Sequence, residues 1–270
     1  MAQTAETERP ETDGDETDRN TVLRTERLTK KFGELTAVED VALDIERGEF
    51  RSVIGPNGAG KTTLFNLVSG ALSPTAGEIY FAGENVTGLD PYERVRRGLA
   101  RSFQLTTVFN GLTVKENVRL AVQSIALNGM NSRELLLANK SRFDGLNDRT
   151  GDVLARIGLA EVADGRASDL AYGDRRRLEI GLVLATDPEV VLLDEPTAGM
   201  SGEETNAIIG LIEEVLAEKT LVLVEHDVGL VMDISERITV LHQGRVLASG
   251  TPAEISADED VQEAYLGGTR

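Results

Sequence analysis

The sequence predicts an α/β fold built on a parallel sheet covered on both faces, and three observations carry that prediction. Two short runs, Val190-Val191-Leu192-Leu193 and Thr220 to Val224, are apolar almost without a break. A strand reads this way when both of its faces are buried, which is the condition inside a parallel sheet. Between them Glu203 to Ala217 carries helical spacing, so strand, helix and strand alternate. Earlier in the chain, Phe50-Arg51-Ser52-Val53-Ile54 runs into a glycine-rich loop and then into a helical stretch, a third unit of the same kind.

Taken in order, Met1 to Asn20 holds seven acids, two arginines and almost no apolar side chains, and reads as an acidic disordered tail over residues 1–21. Leu23 to Leu28 and Ala37 to Ile45 read as short strands, the second alternating imperfectly through Val38, Val41, Leu43 and Ile45. Arg47-Gly48-Glu49 is a turn before the strand Phe50–Ile54. Lys61 to Ser69 has helical spacing in Leu64, Leu67 and Val68 and stops at Gly70. Glu78 to Ala82 is a further strand, and Thr113 to Leu127 an amphipathic helix with Val114, Val118, Ala121, Val122 and Ile125 on one face. Asn128 to Thr150, polar and punctuated by Gly129 and Gly145, reads as a loop-rich helical insertion. Helices are expected around Gly151–Ile157 and Asp174–Ala185, and no internal repeat is visible.

Composition narrows the chemistry. The 270 residues carry 28 Lys plus Arg against 46 Asp plus Glu, a net charge of −18. Such a chain repels phosphate backbones on average, which argues against a nucleic-acid partner. There is no cysteine, so disulfides, thiolate metal sites and cysteine nucleophiles are excluded; His226 and His242 are too few for a histidine-rich metal site. No run approaches the roughly 18 apolar residues of a membrane span. The N-terminal segment lacks the apolar stretch and basic start of a secretory signal. A soluble, intracellular protein is expected. The basic residues are 22 Arg and only 6 Lys. That skew beside an acidic surface suggests adaptation to a salty cytoplasm; equal melting temperatures in low salt and in molar KCl would count against it.

Gly55-Pro56-Asn57-Gly58-Ala59-Gly60-Lys61-Thr62 fits the phosphate-binding pattern GxxxxGK[ST], set between a strand and a helix. Its glycines let backbone N–H groups turn inward around phosphate oxygens, and the helix N-terminus, with Thr63 next in line, favours the same charge. Lys61 is expected to reach the β- and γ-phosphates of a nucleotide, and Thr62 to place its hydroxyl on Mg²⁺. The plainer alternative is a glycine-rich turn. Val190 to Leu193 ends in Asp194-Glu195-Pro196, at a strand end where open α/β sheets bind ligands. Successive strand side chains diverge, so Asp194 can face a metal while Glu195 faces an attacking water. Alone, such a pair is more often structural; downstream of a phosphate loop it points to nucleotide hydrolysis.

A third element follows the same order. Leu170-Ala171-Tyr172-Gly173-Asp174 opens a helix carrying Arg175-Arg176-Arg177, which most simply forms a solvated face paired with nearby acids. Together with Gln104 in Arg101-Ser102-Phe103-Gln104, and with His226 after the strand ending at Glu225, the set resembles the ATP-binding cassette ATPases over roughly residues 22–268. The resemblance implies a P-loop NTPase (RecA-like) core with a small antiparallel β subdomain and an inserted α-helical subdomain. On that plan residues 22–104 and 180–250 form the nucleotide-binding core with the β subdomain. Residues 105–179 form the helical subdomain, and 251–268 the C-terminal helices.

The resemblance also implies roles. Phe32 would stack on adenine, with an ordinary core phenylalanine as the alternative. Gln104 would sense Mg²⁺ and the attacking water while touching a membrane partner, and otherwise is a surface amide. Asp194 would serve the metal, Glu195 would be the general base, and His226 would hold the γ-phosphate. Ala171, Tyr172 and Gly173 would cap ATP held by a second cassette, so that catalysis needs two. The chain departs from the family pattern in three places. Ala171 replaces a serine, Tyr172 a glycine, and Ser201 the usual aspartate after Pro196. These changes touch the contacts between subunits more than hydrolysis.

Leu-Ala-Tyr-Gly with Arg177-Leu178-Glu179-Ile180, Ala100 to Gln104, Thr113 to Asn117 and the closing Ala264-Tyr265-Leu266-Gly267 are similar to the ATPases of branched-chain amino-acid importers. That implies a peripheral protein on the cytoplasmic face of the cell membrane, beneath two permease subunits and beside a second ATPase subunit. An external substrate-binding protein would feed the permeases, and a coupling surface is expected around Gln104 to Asn110. Urea importers and lipopolysaccharide exporters are the nearest competitors. A soluble assembly cassette of the iron–sulfur type, acting without a permease, is the rival of another class, and a DNA-repair cassette is weaker still.

Overall fold

The computed structural model describes residues 20–102, 108–126 and 140–266. The acidic tail and Gln104 lie outside the described residues. Among the described residues the strands form two sheets. The smaller is antiparallel: β1 (Thr21–Phe32) lies between β2 (Leu35–Glu46) and β4 (Ala76–Phe81), and β5 (Glu84–Asn85) closes the edge. The larger joins β3 (Phe50–Ile54), β6 (Leu99–Arg101), β7 (Val190–Asp194), β8 (Thr220–Val224), β9 (Arg237–His242) and β10 (Arg245–Gly250) in the order β10-β9-β3-β8-β7-β6. Every pairing in it is parallel except the β9–β10 hairpin.

The imperfect alternation of β2 has a local cause. Between the pairs Leu28↔Val41 and Lys30↔Val38 the register slips by one residue, and Asp40 takes a positive φ of 53°. A bulge at Asp40 returns Val38 to the face already used by Val41, and both are buried. Arg27, at φ 46°, makes the compensating slip in β1 between Thr25 and Leu28.

The apolar runs of β7 and β8 serve two cores at once. Val190, Leu192, Val222 and Val224 face a cluster shared with the small sheet and with α1 (Lys61–Val68). Val191, Leu193, Leu221 and Leu223 face the other cluster, filled by α3 (Val114–Ala126), α4 (Lys140–Arg156), α5 (Tyr172–Ala185) and α6 (Gly202–Leu216). Period-2 geometry therefore turns a continuous apolar string into two hydrophobic faces. A third cluster sets Ile54, Ile238 and Val240 against Val231 of α7 (Val228–Ile234), Ile255 of α8 (Pro252–Ala257) and Val261 of α9 (Glu259–Leu266).

One helical expectation needs correction. Asn128 to Thr150 is expected to be a loop-rich helical insertion; its described part is continuous helix, α4 beginning at Lys140 and running through Gly145 and Gly151. A Cβ at either glycine would meet nothing within 4 Å, so both sit where the helix loses no packing. Leu146, Val153, Leu154 and Ile157 supply a buried stripe that outweighs two weak helix formers. The boundary drawn at 179/180 falls inside the continuous helix α5.

α1 is anchored at its far end by a buried arginine. Arg94, on the short helix α2 (Pro91–Arg96), is 1% exposed and donates to Leu67 O at 2.8 Å and Val68 O at 2.7 Å. It also donates to Thr87 O and Leu89 O. The guanidinium thus joins the Gly70 N–H on Leu67 O, satisfies Val68 O at the end of α1 and complements the helix dipole. Burial pulls its pKa down to about 10.

Candidate active site

β3 delivers the chain into the phosphate loop, and the loop's shape depends on glycine at two places. A Cβ on Gly55 (φ 152°) would lie 2.1 Å from Leu241 O, and one on Gly60 (φ 104°) 2.5 Å from Ala37 O. Both the backbone angles and the close approach of β2 and β9 exclude a side chain there. The turn after β9 fastens the loop from outside: Gly244 N–H donates to Ala59 O at 3.0 Å, and Glu39 N–H donates to Gly244 O at 2.7 Å.

Lys61, the first residue of α1, is buried and donates to Gly55 O at 2.6 Å and Pro56 O at 3.1 Å. Its ammonium is therefore folded over the loop's own carbonyls. Burial lowers its pKa, and the nearby charges of Glu195 and then Asp194 oppose that shift. A cleft of about 410 Å³ opens above, lined by Phe32, Leu35, Ala37, Asn57 to Thr63, Glu195 and His226. That volume suits a nucleotide-sized ligand. Phe32 is 47% exposed at the rim, with the Lys30 ammonium 5.3 Å from its ring centre. An exposed aromatic at the mouth of a polar cleft is no core residue.

Asp194 and Glu195 diverge as strand geometry requires. Asp194 turns inward, fully buried, and accepts from Arg101 at 2.7 Å through Oδ2. Glu195 turns to the cleft, where its Oε1 lies 2.7 Å from His226 Nε2. Glu195 adopts φ 48°, an uncommon region for a residue with a side chain. Its N–H donates to Val224 O at 2.9 Å, so the turn is tied to the end of β8.

Three residues bearing on this site escaped the sequence reading of single motifs. Glu225 is buried; its Oε1 accepts from the Thr197 hydroxyl at 2.6 Å and N–H at 3.0 Å, and its Oε2 from His226 N–H at 3.1 Å. It staples the loop after Pro196 to the loop bearing His226. Arg176 is not part of a solvated face. It donates to Glu195 O at 2.8 Å and Pro196 O at 2.7 Å, with Glu179 as counter-ion. Arg101 is the third: it stands in the Arg101-Ser102-Phe103-Gln104 motif, but nothing in that motif points to Asp194. Of the arginine run, Arg177 keeps the expected surface pairing, 3.9 Å from Asp174.

Ala171, Tyr172 and Gly173 do not line the cleft. Ala171 caps α5 through its backbone only, and Tyr172, 54% exposed, donates its hydroxyl to Ala198 O at 2.7 Å. Gly173 has open space around it. Ser201, in place of the expected aspartate, caps α6 in a reciprocal box with Glu204. A larger cleft of about 570 Å³ lies between α4 and α6, but Lys219 and Arg149 on its wall both pair with Asp187.

Phosphate loop, Asp-Glu strand end and cleft-facing histidine thus meet at one end of a parallel sheet, and sequence comparison decides what they belong to. The profile described as ABC transporter matches residues 38–198. The chain belongs to the ABC transporter ATP-binding family. A second profile, branched-chain amino acid ATP-binding cassette transporter, matches residues 245–269. The cassette is 43% identical to the high-affinity branched-chain amino acid transport ATP-binding protein LivG of Escherichia coli strain K12, over 91% of this chain and 98% of that one. Against BraF of Pseudomonas aeruginosa, described in the same words, identity is 40%, again over 91% and 98%. Among solved structures, the ADP conformation of MJ1267, an ATP-binding cassette of an ABC transporter, superposes with a TM-score of 0.77 at 29% identity, over 92% and 99% of the two chains. ATP hydrolysis is general to the family, and the cassette is an ATPase. Among the described residues no helix is long and apolar enough to cross a membrane.

Mg²⁺ is the cation such a site would need. Among the described residues no group of three or more His, Asp or Glu could hold a metal by itself. A magnesium ion, however, needs only one or two protein oxygens beside substrate phosphates and water. The buried Asp194 Oδ1 has no hydrogen-bond partner, and Thr62 stands in the first turn of the loop helix. The residues present fit the ion.

Proposed function

We propose that this cassette is the ATP-hydrolysing subunit of a branched-chain amino-acid importer, working beneath two permease subunits on the cytoplasmic face of the membrane. The observation that carries the catalytic half is the 2.7 Å contact of Glu195 with His226 in the cleft lined by the phosphate loop. The names of its relatives and the match of its C-terminal segment support the transported class.

Backbone N–H groups of Gly58 to Thr63 and the N-terminus of α1 bind the phosphates. Lys61 exchanges Gly55 O and Pro56 O for phosphate oxygens. Phe32 supplies a face for adenine. Thr62, Asp194 and Gln104 would hold Mg²⁺, which when bound neutralises phosphate charge. Glu195 takes the proton of the attacking water as general base. His226 orients Glu195 and then contacts the γ-phosphate. Ala171, Tyr172 and Gly173 contribute from a second cassette, a sister chain or a copy, so the cycle is one of ATP-driven dimer closure and opening. The helical subdomain, residues 105–179, passes that motion to the permeases, which an external binding protein supplies.

The test is recovery of tagged Glu195→Gln protein from its own solubilised membranes, with ATP and Mg²⁺ at native salt. Two multi-spanning permeases and a second cassette in the recovered complex are the expected result. Soluble partners alone, with the protein folded and ATP-bound, would replace this reading with a cassette acting in assembly.

A further inference from the structure

Around Asp194 the structure holds more than the reaction itself demands. β6 ends at Arg101, whose side chain is 7% exposed beside an Asp194 side chain with no exposure at all. One terminal nitrogen donates to Asp194 Oδ2 at 2.7 Å. The other donates to Asn66 Oδ1 at 2.6 Å and to Ser69 Oγ at 3.2 Å, within and just after α1. The guanidinium carbon stands 5.8 Å from the centre of the Phe65 ring, on the same helix. On the other side, Ser102 Oγ accepts from Asp194 N–H at 3.4 Å, and Ser102 N–H donates to Leu192 O.

Arg101 therefore spans from the helix that opens with Lys61 and Thr62 to the strand that ends at Asp194. Arginine commonly grips a carboxylate with two parallel hydrogen bonds, using both oxygens. Here the fork is split, one arm to the carboxylate and one to α1, and Asp194 Oδ1 is left buried without a partner. A buried carboxylate oxygen left unpaired is costly, and such an atom calls for an explanation.

We propose that Arg101 is a positioning residue for the magnesium ion of ATP hydrolysis. It pairs with Asp194 inside the protein through Oδ2 alone and leaves Oδ1 for the shell of the metal. Its second arm braces that carboxylate against Asn66 and Ser69, in the C-terminal half and at the C-cap of the helix whose first turn carries Thr62. Asn66 and Ser69 serve the same end by fixing the guanidinium. The inference rests on the ATPase reading and assigns within it a residue outside the cleft.

The test is metal binding, read apart from turnover. In the Glu195→Gln protein with ATP, Mn²⁺ affinity is measured by electron paramagnetic resonance for Arg101→Met, Arg101→Lys and Asn66→Ala. Nucleotide affinity in EDTA is measured alongside. Loss of an outer-shell partner weakens a metal by about 10- to 100-fold. Arg101→Met is expected in that range, with metal-free nucleotide affinity unchanged. Arg101→Lys, which keeps the charge but cannot hold both sides at once, and Asn66→Ala are expected to lose roughly threefold or more. With Glu195 intact, half-saturating Mg²⁺ for turnover rises by the same factors while kcat at saturating Mg²⁺ changes less. Mn²⁺ affinity within twofold of the parent in folded Arg101→Met overturns the proposal. Should that variant fail to fold, the same result in Arg101→Lys and Asn66→Ala overturns it. If the Glu195→Gln parent binds no Mn²⁺ with ATP, the proposed metal site itself falls and takes this inference with it.

Discussion

Glu195 Oε1 and His226 Nε2 stand 2.7 Å apart at the ends of β7 and β8, which are neighbours in the parallel sheet. Neither side chain is held by its own strand alone. The Glu195 N–H is tied to Val224 O, and the His226 N–H to Glu225, which also holds Thr197. The pair is thus built across two strand ends, each of which fixes part of the other. Such cross-strand support gives the proposed base and its orienting partner a defined geometry.

From that geometry Glu195→Gln should lose turnover by at least about 10²-fold, the usual contribution of a positioned base. It should still bind ATP and should accumulate as an ATP-held dimer. His226→Ala should lose turnover as well, with ATP affinity less affected. Phosphate release and size-exclusion chromatography with ATP check both. Wild-type turnover in Glu195→Gln would reject the general-base assignment.

Arg176 and Tyr172 bind the same loop by different means, and their substitutions should separate. Arg176 holds the carbonyls of Glu195 and Pro196 while Glu195 sits at φ 48°. Removing it leaves two carbonyls without that donor and releases a strained turn. Arg176→Met should therefore lower kcat about tenfold or more and leave ATP affinity within a few-fold. Tyr172→Phe removes one exposed hydrogen bond to Ala198 O and should cost no more than about 1 kcal/mol in stability. Equal kinetic losses in the two variants would contradict this division.

Most of the fold was legible because its signals are short-range and periodic. The apolar strings of β7 and β8 and the loop from Gly55 to Thr62 each announce one structure. What stayed hidden depends on partners far apart in the chain. Arg176 reads as surface charge until α5 is laid against the turn after β7, twenty residues on. Arg101 meets Asp194 across a separation of 93 residues. The start of α4 was hidden by Gly145 and Gly151, whose cost is offset by a buried stripe that only tertiary packing reveals. The bulge at Asp40 explains why β2 alternates imperfectly, yet nothing in the local pattern places it there rather than one residue away.

Arg94 should be a large single contributor to stability. It is nearly inaccessible, and its four carbonyl partners include the end of α1. Arg94→Met keeps the apolar volume and abandons those carbonyls, which should cost about 2–4 kcal/mol. Gly70→Ala tests the same junction from outside, because a Cβ there would lie 2.9 Å from both Arg94 Nε and Leu89 O, at φ 80°. Denaturant unfolding of the two variants checks this, and a shift below about 1 kcal/mol for Arg94→Met would refute it.

The acid limb of stability should reflect the helix caps. Glu116, Glu204 and Glu254 each reach back to a cap residue, accepting the N–H of Thr113 at 2.8 Å, Ser201 at 2.9 Å and Thr251 at 2.7 Å. Those backbone bonds, and next the cap hydroxyls, hold all three carboxyls below the ordinary value of 4.5. A depressed folded-state pKa means the unfolded chain binds the proton more readily. The stabilisation is therefore fully present above the unfolded value and is lost as pH falls through the folded one. A triple Glu→Gln variant keeps an acceptor at each cap but cannot titrate. It should melt below the wild type near neutral pH, and the gap in melting temperature should close between about pH 5 and pH 3. A gap that stays constant over that range would place the acid sensitivity in other groups.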